Sequence, residues 1–200
     1  MGLWDVVTGR SRPKQAKLDA LFHVPAAAVT LQTTLGLTPT GDGSVCYRAS
    51  SGAAFVGTQA DIVSLVGSGP DAPRVTVGND AYGFTWLEVD HDPSDPANPD
   101  LAGLCTDLHA VNTSLEAQGF GPGLLCSLFP FVGPDSQGGR RVGLVYLYKQ
   151  GTFYPFAPDP GGAQRRDNLL ELQVRDALAG ELPIEQDLSR WLAIWGAPGL

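Results

Sequence analysis

The stretch of this 200-residue chain richest in potential chemistry is DHDPSDPANPD, residues 90–100. Asp90, His91, Asp92, Asp95 and Asp100 supply the oxygen and imidazole donors that a divalent cation takes. An EF-hand loop needs a central glycine and a terminal glutamate, and neither is present. Prolines at 93, 96 and 99 give the same composition as a stiff, solvated connector, which is the reading adopted. Cys105 and His109 follow at i, i+4, so one helical face presents a thiol and an imidazole. That pair suits half a zinc site or a thiolate–imidazole dyad, but no second ligand pair or orienting acid is spaced to complete either. Packing beside an apolar stripe accounts for both residues.

Other motifs yield no reaction. GDGSV and GSGP lack the lysine of a P-loop and do not form GxGxxG at a strand–helix junction. No GxSxG or HExxH occurs. The arginine pairs 140–141 and 165–166 could grip an acidic partner, or serve as a solvated strand edge and helix face. No catalytic residue, metal or cofactor is therefore assigned, and the chain is read as not an enzyme.

The opening MGLWDVVTGRSRPKQ is more telling. Wound as a helix, Leu3, Trp4, Val6 and Val7 span an arc of about 160°, with Asp5 opposite. Arg10, Arg12, Lys14 and Lys17 follow, so residues 1–17 carry four basic groups against one acid, a local +3. With a total of −8, residues 18–200 carry −8 − 3 = −11. Such an acidic body is a poor nucleic-acid binder, because phosphate neutralisation needs a basic surface. An apolar-basic arm is the pattern of a weak contact with an anionic membrane, and these eight residues are the predicted contact set. Docking of Leu3 and Trp4 on the protein's own body is the alternative. Met-Gly at the start suggests myristoylation, but Val6 stands where that motif has Ser or Thr. No run reaches the roughly 20 apolar residues of a spanning helix, and no signal peptide is visible. Cys46, Cys105 and Cys126, an odd and scattered set, read as reduced thiols in the cytoplasm.

The elements that must position these groups follow from periodicity. Pro13 opens a helix with Leu18, Leu21 and Phe22 as its buried stripe, and Pro25 starts a second piece that Gly36 ends. Residues 53–66 form a helix with Val56, Ala60, Val63, Leu65 and Val66 apolar. Strands are predicted at 44–48, 74–77, 84–89, 124–132, 141–149 and 152–156. Asn98 is the predicted cap of the clearest helix, where Leu101, Leu104, Leu108, Val111 and Leu115 repeat at 3, 4, 3, 4. Its stripe, with Leu125, Val145 and Leu147, should form one core. Helices at about 163–179 and 187–195 close the chain, and Trp191 and Trp195 on the last should cover outer-face aromatics of the 141–156 hairpin. LGLTP (35–39) echoes QGFGP (118–122), each leading to a cysteine-bearing strand; this is shared cap chemistry or an ancient half-repeat. Short turns between strands make them antiparallel. The predicted class is α+β, a twisted antiparallel sheet with helices mainly on one face. The division is an N-terminal segment 1–17 and a single domain 18–200.

MGLWDVVTGRSRPKQ, ALFHVPAAAVTLQTTLGLTPTG and VYLYKQGTFYPFAP together resemble the actinobacterial PspA-associated protein PspAB family, nearly end to end. Ten arginines against three lysines suit a high-GC bacterial genome. The resemblance implies association with the phage-shock response, hence a protein partner (the phage-shock protein or another envelope-stress component) and a place in the cytoplasm or on the inner face of the plasma membrane. It implies no reaction. The element order also resembles type III secretion chaperones and their YbjN-like relatives, which implies a chaperone-like binding domain as the alternative. A third alternative is an enzyme without a recognisable motif.

Overall fold

The structure is a computed structural model and describes residues 17–70, 72–91, 99–134, 139–161 and 164–200. Its centre is one seven-stranded sheet, all of whose pairings are antiparallel, with four helices: an α+β fold. The helices are α1 (Val24–Leu35), α2 (Ala53–Val66), α3 (Leu101–Ala117) and α4 (Asn168–Leu178). The strands are β1 (Thr38–Pro39), β2 (Asp42–Tyr47), β3 (Arg74–Asn79), β4 (Thr85–Asp90), β5 (Leu124–Val132), β6 (Arg141–Leu147) and β7 (Thr152–Phe156). They lie in the order β3-β4-β2-β5-β6-β7, and β1 pairs with the far end of β5. The helix–strand order is α-ββ-α-ββ-α-βββ-α, which differs from the chaperone pattern α-βββ-α-ββ-α in having one more helix and two more strands and in placing its three-strand run last.

Residues directly opposite in an antiparallel pair share a face, so the register sorts the side chains. Gly43, Val45, Leu87, Ser127, Phe129, Leu144, Tyr146 and Phe153 face the helices. There α3 crosses the sheet centre with Leu101, Leu104, Leu108, Val111 and Leu115 buried, as its period requires. Gly43 makes that approach possible, because a Cβ there would stand 2.9 Å from Leu108. Asn112 is buried among the leucines and donates to Leu108 O (2.7 Å) and Ser127 Oγ (2.9 Å), pinning helix to strand. α1 ends where Gly36 adopts φ 68°, the left-handed cap expected of glycine.

Several expectations are corrected. The residue that caps α3 is Asp100, which accepts from the Gly103 amide (2.8 Å); Asn98 lies outside the described residues. α2 buries Phe55, Ile62 and Val66, while Val56 and Leu65 are exposed, because its apolar residues run round more than one face. Phe22 is half-exposed beside the His109 ring, 5.2 Å away, in a 3-10 segment (Leu18–His23) that buries Leu18 and Leu21. Pro13 lies outside the described residues. Leu125, Val145 and Leu147 join the α3 stripe in one hydrophobic cluster, as expected, but from the face of the sheet opposite α3.

The final helix is also absent. Beyond α4 the chain runs beside β7, with Phe153 N donating to Pro183 O and Glu185 N to Phe153 O, both 2.8 Å. After a 3-10 turn (Leu188–Arg190) it crosses the outer face as an irregular strap to Leu200. Trp191 stacks on Tyr154 (6.1 Å) and Trp195 meets Phe156 edge-on (4.9 Å), so the hairpin aromatics are covered as expected, by a strap in place of a helix. The echo between residues 35–39 and 118–122 ends at the two central strands. Both lead from a helix to a central strand, but beyond these β2 pairs with β4 and β5 with β6, so the chain order differs.

Candidate functional site

The candidate ligands of 90–100 that are described go three separate ways. Asp90 pairs with Arg74, His91 shares a 2.7 Å bond with Asp107, and Asp100 caps α3. Asp92 and Asp95 lie outside the described residues, and among those described no group of three His, Cys, Asp or Glu side chains could hold a metal ion. Cys105 and His109 share the α3 face turned toward the Leu18–His23 segment, but the thiol donates to Leu21 O (3.2 Å) and His109 packs on Phe22. Burial, with the charge of Asp100, pushes the Cys105 thiol up to about 12, so it is no nucleophile at neutral pH.

Three of the four arginines in the two pairs prove to be internal fasteners. Arg166 Nε donates to buried Glu171 (2.8 Å), its Nη1 to Trp191 O (2.6 Å), and its guanidinium lies 5.2 Å over Phe156. Arg141 holds Gly199 O at 2.7 Å, and Arg165 pairs with Asp159 at 2.6 Å. Arg166 and Arg141 thus tie both ends of the strap to the body.

Of the predicted membrane-contact set, Leu3, Trp4, Val6, Val7, Arg10, Arg12 and Lys14 lie outside the described residues, and Lys17 lies within them. Lys17 is exposed and rests on the β6–β7 turn, where a Cβ on Gly151 would stand 3.2 Å from its own Cβ. It borders a groove of about 680 Å³ between the first 3-10 segment, α3 and the end of α4. Asp19, Glu116 and Glu181 give that groove three carboxylates.

On the opposite face the strap and sheet wall a second, half-open cavity of about 400 Å³. Cys46 and Cys126, eighty residues apart in sequence, are directly opposed across β2 and β5 and form its floor. The hydrogen bond to Cys126, with burial and the nearby Cys126 charge, drives the Cys46 pKa far up. A β-bulge lies beside them: Cys46 pairs with Cys126 but Tyr47 with Leu124, so Leu125 is the extra residue and it too lines the cavity. Asp80 at the rim is fully engaged, accepting from Tyr82 N (2.8 Å), Phe84 N (2.9 Å) and the Trp86 indole (3.0 Å). Burial alone would raise its pKa, and these donors outweigh it and hold the carboxyl below its usual range. Sequence inspection missed this cavity, although the two matched segments leading to Cys46 and Cys126 were a faint signal for the juxtaposition.

The model of one family, PspA associated protein B, matches residues 1–199. The chain belongs to that family. The match takes in the N-terminal segment as well as the whole sheet and strap, and the family's name describes its members as associated with PspA. No curated protein and no solved structure matches the chain. Among the described residues, no helix is long and apolar enough to cross a membrane.

Proposed function

We propose that this chain is a non-enzymatic cytoplasmic adaptor of the phage-shock response, which binds a phage-shock protein and touches the inner face of the plasma membrane through its N-terminal segment. Membership of the PspA associated protein B family over residues 1–199 carries the reading. Charge segregation supports the division of labour. With −11 on residues 18–200 the body is repelled by an anionic bilayer, and the +3 on residues 1–17 is attracted to it. Each of Arg10, Arg12, Lys14 and Lys17 contributes about 1 kcal/mol near such a surface, with Trp4 at the interface. One short anchor of this kind gives weak, reversible contact, which suits a stress-responsive visitor. Three acids close to the strap are held by structural partners. Glu171 is bound by Arg166, Glu185 by Thr152 and Arg190, and Asp80 by its indole and amide donors.

Vesicle co-sedimentation of the full chain and of a chain lacking residues 1–12 tests the membrane arm. Binding that requires anionic lipid, weakens with salt and vanishes on truncation is the expected result. Equal sedimentation of both chains, with the truncated one less stable, would make the opening peptide part of the body.

A further inference from the structure

The cavity between sheet and strap has no part in that function, and its lining specifies a ligand class. Its volume of about 400 Å³ falls within the range of small-molecule sites. The floor is apolar: Leu125 and Leu147 flank the protonated Cys46 thiol. Trp86 and Trp195 contribute aromatic wall. The polar groups that reach it are mostly spent. Asp80 is saturated by its three donors, and Tyr154 OH donates to Leu192 O at 3.0 Å. One charged group is left over. Arg48 stands at the mouth with its guanidinium 5.4 Å over the Phe84 ring, and among the described residues it has no carboxylate partner.

A half-open, largely apolar volume with a single uncommitted cation at its mouth is complementary to a molecule with one anionic head and one apolar tail. We propose that this cavity binds a medium-chain alkyl carboxylate, with the chain lying over Cys46 and Cys126 and the carboxylate on the Arg48 guanidinium. The Leu125 bulge adds an apolar side chain to the floor that has no partner on β2. Arginine suits the head group because its planar fork meets both oxygens of a carboxylate. The inference rests on the cavity alone and stands or falls independently of the membrane arm.

Calorimetric titration of the full chain with decanoate, decanol and decyltrimethylammonium, each below its micelle concentration, tests it. Saturable binding of one decanoate, at least tenfold tighter than decanol and tighter still than the cationic surfactant, is expected. Arg48 is exposed, so Arg48→Gln should fold as the parent does; it should bring decanoate down to the affinity of decanol and leave decanol unchanged. Leu125→Trp should fill the cavity and abolish both. Decanoate binding that is unsaturable, or equally tight in Arg48→Gln, would overturn the proposal whether or not Leu125→Trp folds.

Discussion

Asp42 and Asp90 face one another across β2 and β4, and the fold strains their charges together. Burial raises the Asp42 pKa, the hydrogen bond and charge of Asp90 raise it further, and Arg74 only partly opposes them, so Asp42 titrates at about 6 against an ordinary 3.8. An acid whose pKa is higher in the folded state stabilises the fold when protonated. Its contribution is complete below pH 3.8 and is lost as the pH rises through 6. A shift of about two units corresponds to roughly 3 kcal/mol, and solvent screening of this partly exposed group reduces that to about 1–2 kcal/mol. Asp42→Asn keeps the shape and removes the titration. It should be about 1–2 kcal/mol more stable than the parent near pH 7.5, with the gain falling away below pH 6 and close to zero at about pH 3.5. Urea unfolding of both proteins across that range measures it. A variant less stable than the parent near pH 7.5, or a gain independent of pH, would refute the reasoning.

Leu108→Asp should cost several kcal/mol, because it buries an unpaired charge at a fully buried position between α3 and Gly43. A urea midpoint equal to the parent's would contradict the assigned helix face. Arg166→Met should cost about 3–5 kcal/mol by leaving buried Glu171 without its cation, and should raise binding of a hydrophobic dye as the strap loosens over Phe156. Unchanged dye binding would mean the strap is held without Arg166.

Local chemistry made much of this fold legible. The 3, 4, 3, 4 stripe of α3, the Gly36 cap and the tight turn into β7 each depend on a few adjacent residues, and all three stand as read. What escaped depends on register. Trp191, Leu192 and Trp195 have helical spacing, yet the tryptophans are spaced to reach Tyr154 and Phe156, two residues apart on β7. Arg165 and Arg166 looked like solvated neighbours until the strap supplied Trp191 O as a partner. The cavity needs the Cys46–Cys126 pairing and the slip at Leu125, neither of which any short stretch of sequence contains. The same holds for Leu125 and Leu147. Their apolar character was plain, but the face they occupy was set by pairing partners far along the chain.

Association with the phage-shock protein is the claim on which the functional account depends. The direct measurement is affinity purification of the full chain from cells with and without envelope stress, with PspA quantified in each eluate. The account predicts that PspA co-purifies and that the amount recovered rises under stress. PspA absent from both eluates, with the bait intact and folded, would contradict it.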